Sequence, residues 1–513
     1  MTPTDPNTTL AFSTDGGVGL SLLRIRIAPC TVGPDNACTE STLETVTAVT
    51  AQGMGVQVWA TPWTPPAAWK SNDSTQDGGT LLPQFEDDWA QALVGFAQSM
   101  NDAGVSLVGV SAQNEPTQST DYDSCTYTPE SLADFIGNHM GPAFQDAGFL
   151  GEGGMPFGII APETVQGDTN FSSFSTQILT TNAAGYVGTI ATHSYGQGPP
   201  DDPAISQAGK EYWETEVYDQ GDVAALDAGA AEQAAAELAS ALWVATTANQ
   251  ALVTGGVNAW HYWWLYGYQG GNEGLFNLLA PDFSTAVPTK RLYALGNYSR
   301  FVRPGFFRVT ATQYPADNVY VSAFYDLPSG QIILVAVNTT QAGAGAPGTV
   351  PVTFLFNGES TGMWSSWVTS ATQNLEPGDA VTGSTSLTYT LQPQSVTTLV
   401  GSVTGAGPAV SGDVATTAGG GQVTVSTAPD GGIVIDDTAD GTDQGQAAAG
   451  CGLACSTVGR APKSDDPWGL ALGISLGACA VARWRSRAGH RRAAPKHGTE
   501  PCPAGASRSS SVG

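Results

Sequence analysis

The chain has 513 residues, of which 41% are hydrophobic, and a formal net charge of −28 at pH 7. This length accommodates two or three domains with a sizeable core in each. The negative charge excludes nucleic acid and anionic membranes as partners held by counterion release, because such binding needs Lys and Arg.

The first half of the chain contains seven short apolar runs that are typical of buried strands. They are "LSLLRIRI" from Leu20, "GVQVWATP" from Gly55, "SLVGVSAQNEP" from Ser106, "FGIIAPE" from Phe157, "GTIATHSY" from Gly188, "KEYWETEVY" from Lys210 and "NAWHYWWLY" from Asn258. Helix-like segments such as "FEDDWAQALVGFAQSMNDAG" and "AAEQAAAELASALWVATTANQ" lie between them. Apolar strands that alternate with helices indicate a parallel sheet covered on both faces. The pattern predicts an α/β fold, a (β/α)8 TIM barrel over residues 1–298.

A closed (β/α)8 barrel needs eight strands, and the sequence contains seven runs of this kind. The first run begins only at Leu20, so we expect the first barrel strand and any export signal to lie upstream of Met1. The opening "MTPTDPNTTLAFSTDGG" has neither the basic region nor the apolar region of a signal peptide. A seven-stranded or open arrangement is the alternative.

The pattern changes after "YSRFVRPGFFRVTAT". The runs "NVYVSAFYD", "QIILVAVNTT", "VPVTFLFNG", "MWSSWVTSA" and "QSVTTLVGSV" are separated by Gly, Pro and Asn turns. They predict an antiparallel β-sandwich side domain over residues 299–402. Residues 403–450 are rich in Gly, Ala, Thr and Asp, which predicts a disordered acidic linker.

Residues 451–492 contain "CGLAC", then "PWGLALGISLGACAVA", then "RWRSRAGHRR". The apolar run is short for a full membrane span, but it is uncharged and Arg residues follow it at once. This layout resembles the C-terminal sorting tags of myxobacterial surface proteins. It predicts an exported, surface-attached protein with possible membrane anchoring through this tag. A disordered tail with a chance apolar stretch is the alternative, and residues 493–513 are expected to be disordered.

Three cysteines of the first half, Cys30, Cys38 and Cys125, allow competing disulfide pairings. A disulfide between any two of them would require an oxidising compartment. Three unpaired thiols are the other interpretation.

Acidic and amide side chains stand at the carboxyl ends of several predicted strands. They are Asn114 and Glu115 in "SAQNEP", Glu163 in "APE" and Glu216 in "WETEVY". In a (β/α)8 barrel these strand ends line the active-site mouth. Two carboxyl groups so placed suit hydrolysis of a glycosidic bond, one as proton donor and the other as nucleophile or base.

Several motifs in order resemble glycoside hydrolase family 30, most closely its bacterial subfamily 8 xylanase branch. They are "ATPWTPPAAWKSN", "SAQNEP", "ATHSYG", "YWETEVY", "RFVRPGFFRV" and "NVYVSAFY". The resemblance runs from Leu20 to Val400. It implies a retaining mechanism with Glu115 as general acid/base and Glu216 as nucleophile.

The resemblance also implies supporting residues around the two glutamates. Asn114 is expected to bind the 2-hydroxyl of the sugar, and Arg24 to steady the nucleophile's charge. Aromatic and imidazole groups are expected to line the same subsites: Trp63, His193, Tyr195 and Trp264. Glu163 is open between a structural and a site role. No cofactor and no metal are implied.

Glu214 departs from the family pattern, which has an apolar residue at that position. On a regular strand Glu214 and Glu216 face the same way, so Glu214 is a rival nucleophile and otherwise a second inward carboxyl group.

The segment that follows the tryptophans of the last predicted strand, "NAWHYWWLY", bears on substrate specificity. Glucuronoxylan-specific relatives carry Arg residues there, one of which grips the glucuronate, whereas "LYGYQGGNEGLF" has no Arg or Lys. Glu273 would repel a uronate. We therefore expect a monomeric endo-β-1,4-xylanase without strict glucuronic-acid dependence, with a polysaccharide as its partner. The alternatives are the same chemistry on a β-1,6-glucan or β-1,6-galactan, and a non-catalytic glycan-binding surface protein.

Overall fold

The computed structural model describes residues 6–29, 40–150, 157–165, 169–343, 346–357, 362–383, 385–402, 421–426 and 452–457. The predicted apolar run from Pro467 to Ala482, the Arg cluster behind it and residues 493–513 lie outside these ranges, as do Cys30 and Cys38. No helix in the described ranges is both long enough and apolar enough to cross a membrane.

Seven parallel strands follow one another around a barrel in chain order. They are β1 (Leu22–Ile27), β2 (Gln57–Pro62), β3 (Leu107–Ser111), β4 (Gly158–Thr164), β5 (Val187–His193), β6 (Glu211–Val217) and β7 (Ala259–Tyr262). Five lie within the predicted runs, and β4 and β5 each extend one residue beyond theirs, to Thr164 and from Val187. The predicted α/β barrel is therefore confirmed.

Helices lie between the strands. They are α1 (Pro6–Phe12), α2 (Glu40–Gln52), α3 (Glu86–Asp102), α4 (Pro129–Phe135), α5 (Gly141–Asp146), α6 (Thr169–Leu179), α7 (Pro203–Gln207), α8 (Ala230–Val253) and α9 (Lys290–Ser299). A π-helical turn, Ile136–Met140, joins α4 to α5. The helix α3 shows why such segments fold: Trp89, Leu93 and Met100 make one buried face. Its acidic first turn complements the helix dipole.

An eighth parallel strand, Gly452–Thr457, lies between β7 and β1. Its backbone pairs Gly452 with Ala259 of β7 and Ala454 with Leu22 of β1. The barrel ring is closed by this pairing. The sequence pattern does not predict it, because a six-residue segment carries no local signal for a partner strand so remote in the chain.

Three further strands, β8 (Trp264–Tyr268), β9 (Gly274–Leu278) and β10 (Ala286–Pro288), form a small sheet after the barrel. The run "NAWHYWWLY" was expected to be one strand. It is instead divided at Trp263, so that Trp264 begins β8.

The predicted antiparallel side domain is confirmed. One of its sheets contains β11 (Phe307–Val309), β12 (Val319–Asp326), β13 (Gln331–Asn338), β15 (Met363–Thr369), β16 (Glu376–Pro377) and β19 (Ser395–Ser402), and β17 (Val381–Thr382) pairs with β15. The other contains β14 (Val350–Asn357), β18 (Ser386–Leu391) and β20 (Gly421–Ser426). Phe354, Trp364 and Leu399 are buried in the domain core. The strand β20 lies within the stretch predicted as linker, most of which is outside the described ranges.

The lower barrel interior is filled by a compact apolar cluster. It comprises Leu22, Trp59, Ile160, Ala191, Trp213 and Ala259. These side chains come from β1, β2, β4, β5, β6 and β7, and they form a floor under the polar groups nearer the carboxyl ends of the strands.

Candidate active site

Two side chains of the polar layer above this floor, Arg24 and His193, are placed there by the regular alternation of their strands. Arg24 and His193 lie two residues after the floor residues Leu22 and Ala191, and both are fully buried. Because side chains of a strand alternate between its two faces, both point into the barrel.

The three carboxyl groups reach the same layer through backbone irregularities. Glu115 and Glu163 have positive φ angles of 44° and 54°, and the register of β4 against β5 shifts between Pro162 and Thr164. Glu216 pairs with His193 across a similar shift between β5 and β6. Non-glycine residues at positive φ are uncommon and concentrate at functional sites.

The prediction that Glu214 and Glu216 share a face is wrong. Glu214 pairs with Thr192, whereas Glu216 pairs with the inward-facing His193, so Thr215 is an extra residue that forms a bulge. A bulge adds one residue to a strand and changes which face the next side chain occupies. Glu214 therefore lies outside the barrel lumen and does not compete with Glu216 for the site.

Arg24 joins two of the predicted site residues, Glu216 and Asn114, with Glu163, whose role the sequence left open. Its Nη1 donates to Glu216 Oε2 at 2.6 Å, and its Nη2 donates to Asn114 Oδ1 at 2.6 Å and to Glu163 Oε1 at 2.9 Å. The guanidinium carbon lies 4.7 Å from the centre of the Trp63 ring. This stacking and the fork of hydrogen bonds fix the planar cation in one orientation.

Glu163 is a permanently charged support of Arg24. Its Oε2 accepts from the Thr61 hydroxyl at 2.6 Å, and its side chain is fully buried. Burial alone would raise the pKa of Glu163, but Arg24 and His193 outweigh it and hold the pKa at about 2. Its Oε1 lies against Arg24 rather than facing the mouth, which favours the structural interpretation of this residue.

His193 lies among all three carboxyl groups. Its Nδ1 is 2.9 Å from Glu115 Oε1 and 3.7 Å from Glu216 Oε1, and its Nε2 is 3.6 Å from Glu163 Oε1. Burial would lower its pKa, but the field of Glu216 and the contacts with Glu115 and Glu163 raise it to about 10. His193 is therefore an imidazolium at neutral pH.

The carboxyl groups of Glu115 and Glu216 are close together, with one oxygen of each within 4.8 Å. Burial raises the pKa of Glu216, and the charge of Glu115 raises it further. The positive charges of His193 and Arg24 oppose this rise. Two such neighbouring groups do not both ionise easily. The carboxyl group of Glu216 accepts hydrogen bonds from Arg24 and from the Tyr195 hydroxyl at 3.1 Å. Among the described residues, the carboxyl group of Glu115 makes a side-chain hydrogen bond with His193 alone. The two hydrogen bonds to Glu216 favour its charged form.

The same residues are a poor metal site. Glu115, His193 and Glu216 each offer one atom to a common point, but a histidine must be neutral to bind a metal. Cys125, a free and buried thiol, lies elsewhere, and burial raises its pKa to about 11.

Aromatic rings wall the site on two sides. Trp63 lies 6.3 Å from Trp263, and Trp263 is stacked on Trp264 at 5.2 Å between ring centres. Trp264 is only 9% exposed, whereas Trp263 is partly exposed. The structure thus adds Trp263 to the predicted Trp63 and Trp264.

His261 of β7 is a site residue that the sequence analysis missed. Its Nε2 accepts from Trp59 Nε1 at 3.1 Å, and its Nδ1 donates to the carbonyl of Glu214 at 2.9 Å. Burial lowers its pKa to about 3, so it is neutral. The sequence did contain a signal for it. His261 follows the inward-facing Ala259 by two residues on β7, so strand alternation turns its side chain into the barrel as well.

Replacing His193 by Asn is expected to move the acidic limb of the pH–activity profile to higher pH. The imidazolium opposes the rise in the pKa of Glu216, so its loss raises that pKa further. The acidic limb, which needs ionised Glu216, shifts with it. The measurement is kcat/KM against pH, with the surface variant His139→Asn as control. A profile that loses height without shifting would contradict the charge assignment.

A TIM barrel with two close carboxyl groups at the carboxyl ends of its strands has the architecture of a glycoside hydrolase. Comparison with known proteins agrees. Residues 43–239 match the model of the glycosyl hydrolase family 30 TIM-barrel domain. Glucuronoxylanase XynC of Bacillus subtilis is 30% identical over 395 residues, which cover 75% of this chain and 81% of the relative.

Two solved structures resemble this one. Xyn30A of Clostridium acetobutylicum, a family 30 subfamily 8 xylanase, is 29% identical with a TM-score of 0.66, covering 79% of this chain and 93% of that one. A family 30 endoxylanase of Clostridium papyrosolvens is 29% identical with a TM-score of 0.61, covering 77% and 93%. The chain belongs to glycoside hydrolase family 30, a family of retaining O-glycosyl hydrolases.

Proposed function

We propose that this protein is an endo-acting β-1,4-xylanase that works by double displacement and does not depend on glucuronic acid. The observation that carries the mechanism is the pair Glu115 and Glu216, with carboxyl oxygens within 4.8 Å. Retaining glycosidases hold their two carboxyl groups about 5–5.5 Å apart, whereas inverting ones leave room for a water.

In the first step Glu216 attacks the anomeric carbon and Glu115 protonates the leaving oxygen. The C–O bond to the leaving sugar breaks as the bond to Glu216 Oε forms, and the proton passes from Glu115 to the departing alcohol. In the second step Glu115, now a carboxylate, takes a proton from water, and the water oxygen displaces Glu216. Arg24 and the Tyr195 hydroxyl favour the charged form of Glu216 before attack and after release.

Asn114 and the tryptophans supply substrate binding. The Oδ1 of Asn114 is held by Arg24, which orients its amide nitrogen to donate to the sugar 2-hydroxyl. Such a hydrogen bond strengthens in the transition state. Trp63 and Trp263 offer apolar faces on which the C–H groups of a sugar ring can stack.

The surroundings of the parallel strand pair β8 and β9 support a neutral substrate. A cavity of about 370 Å³ lies between this strand pair and the loop that follows β6, and two cations border or underlie it. Lys290 Nζ donates to the carbonyls of Ser370 and Gln373 and to Asn374 Oδ1. Arg291 is fully buried and donates to Gly274, Glu237, Asn272 and Asn277. Both cations are already engaged, so among the described residues none there is available to grip a uronate.

Product analysis on three polymers tests the proposal: unsubstituted β-1,4-xylan, glucuronoxylan and a β-1,6-glucan. We expect short xylooligosaccharides from both xylans, and no products when Glu115→Gln replaces the native enzyme. Cleavage of glucuronoxylan alone would overturn the independence from glucuronate. Cleavage of the β-1,6-glucan alone would contradict the assigned substrate but leave the double-displacement mechanism in place. Binding without cleavage of any of the three polymers would favour a non-catalytic glycan-binding protein.

A further inference from the structure

A buried amide side chain that the mechanism does not use lies between the connection from β8 to β9 and the loop after β6. It belongs to Asn272, in that connection, and only 7% of the residue is exposed. Its Nδ2 donates to Asp219 Oδ2 at 3.2 Å, and its Oδ1 accepts from Arg291 Nη1 at 3.0 Å. Asp219 follows Glu216 by three residues. This amide therefore joins the connection to the loop directly behind the proposed nucleophile.

The two partners fix the orientation of the Asn272 amide. An ionised carboxyl group only accepts hydrogen bonds, and a guanidinium only donates them. The amide nitrogen therefore faces Asp219, and the amide oxygen faces Arg291. Arg291 is fully buried and is held to the same connection, since its Nε donates to the carbonyl of Gly274 at 3.0 Å. A side chain that offers both a donor and an acceptor is thus needed to bridge the acid and the cation.

The backbone of Asn272 adds a second tie. Its carbonyl accepts a hydrogen bond from the hydroxyl of Tyr262, the last residue of β7. The oxygen of the same hydroxyl accepts from the backbone N–H of Asp219 at 3.4 Å. Asn272, Asp219 and Tyr262 therefore form a closed ring of hydrogen bonds. This ring joins three segments, the connection from β8 to β9, the loop after β6 and the end of β7.

Glu273 links this ring to the tryptophans of the site. Its carbonyl accepts from the N–H of Trp264 at 3.2 Å, and Trp264 pairs with Gly274 in the sheet. The side chain of Trp264 is stacked on that of Trp263, with 5.2 Å between ring centres. A shift of the connection would therefore move Trp264 and remove the support of the Trp263 ring, on which a sugar is expected to stack.

We propose that Asn272 is a positioning residue, which bridges Asp219 and Arg291 and thereby holds Trp263 and Trp264 in the orientation that binds the glycan. This inference rests on the proposed function, because it assumes that these tryptophans bind sugar rings. It does not depend on which β-glycan is the substrate. Asn272 acts through the backbone of the connection rather than on the reacting atoms, so its effect falls on glycan binding and not on the chemical step.

An exchange of the two side chains of the bridge tests the proposal. Asn272→Asp places two carboxyl groups against each other, which is unfavourable. In the double variant Asn272→Asp with Asp219→Asn, a carboxyl group and an amide face each other again, and position 272 still offers an acceptor to Arg291. Asn272→Ala removes the bridge altogether. The matched control is Asn277→Ala, because it removes a different acceptor of Arg291, at 3.3 Å, and leaves the bridge to Asp219 intact.

The measurements are kcat, KM and Tm on the polymer that the native protein cleaves. The Kd of a linear hexasaccharide of that polymer is measured for each variant in the Glu115→Gln background. We expect Asn272→Ala and Asn272→Asp each to raise KM and Kd by about 3–10-fold, the scale of a lost stacking contact. Their kcat should stay within about 2-fold of native, as it does when binding is lost equally from the ground state and the transition state.

The double variant should return KM and Kd to within about 2-fold of native, because the two substitutions compensate each other. Asn277→Ala should lower Tm and leave KM and Kd unchanged.

Three results would overturn the inference. The first is native KM and Kd in Asn272→Ala, and the second is a double variant as impaired as Asn272→Asp. The third is a rise of KM in Asn277→Ala as large as that in Asn272→Ala. If Asn272→Ala does not fold, Asp219→Ala breaks the same bridge from its other end and should raise KM and Kd equally. Native values in that variant also overturn the inference. Absence of cleavage of all three polymers by the native protein would instead count against the proposed function.

Discussion

Replacing Glu216 by Gly is expected to lower kcat on xylan by about 10⁴-fold or more, the scale found when a covalent nucleophile is removed. Arg24, Tyr195 and His193 all hold this carboxylate in place. With the side chain gone, those donors still face the lower side of the sugar ring and leave a space of carboxylate size. Added azide should enter that space, restore turnover on a substrate with an activated leaving group, and yield the α-glycosyl azide.

The matched variant is Glu115→Ala. Loss of a general acid costs about 10²–10⁴-fold, and less when the leaving group needs no proton. Azide should rescue it too, but by attacking the covalent intermediate, so that the product is the β-glycosyl azide. The two anomers therefore distinguish the nucleophile from the acid/base. If Glu216→Gly gave the β-azide, the roles of the two residues would be exchanged.

The sequence predicted the features that have a local and recurring pattern, namely the barrel strands and the carboxyl groups at their ends. Seven barrel strands were readable because each combines an apolar core run with turn residues at its ends. Glu115 and Glu216 were singled out because a carboxyl group at the end of a buried strand is costly wherever it has no task. Both signals are local, and both depend on composition over a few residues.

Other features depend on register between strands, which composition does not encode. Alternation assigned Glu214 and Glu216 to one face, and the extra residue Thr215 reversed this. The pairing of Gly452–Thr457 with β1 and β7 joins segments that are 190 positions apart in sequence at their nearest, from Tyr262 to Gly452. Glu163 was left open because its charge is fixed by Arg24 and His193, which come from two other strands.

The division at Trp263 had a similar cause. Nothing in "HYWWLY" marks where the barrel strand ends, because all of its residues are suited to strands. The change of sheet follows from the partner that each half finds: β7 pairs with β6, and β8 pairs with β9. Which tryptophan faces the site is thus decided by tertiary pairing.

Replacing Arg24 by Met is expected to lower the free energy of unfolding at neutral pH by about 3–5 kcal/mol, the cost of leaving buried charges without their partner. Glu163 is fully buried, with its pKa held at about 2, and loses its strongest counter-charge. Because the folded pKa lies below the ordinary value, the native pairing stabilises the fold above about pH 4.5 and this stabilisation is lost as the pH falls through 2. In the variant, protonation of the carboxyl groups removes the cost of their unpaired buried charges. The difference in free energy of unfolding between the variant and the native protein should therefore narrow as the pH is lowered from 7 to 4.

The control for Arg24 is Arg291→Met. Arg291 is as deeply buried, but its ion pair is with Glu237, which is partly exposed and is not one of the carboxyl groups of the site. Both variants should lose stability, but only Arg24→Met should also lose kcat, because Glu216 then lacks the donor that favours its charged form and Asn114 lacks its anchor. The double variant Arg24→Met with Glu163→Gln should regain part of the stability and little of the activity. A double variant that stays as unstable as Arg24→Met would mean that Glu163 is not the charge that Arg24 neutralises, and the electrostatic account of the site would then be wrong.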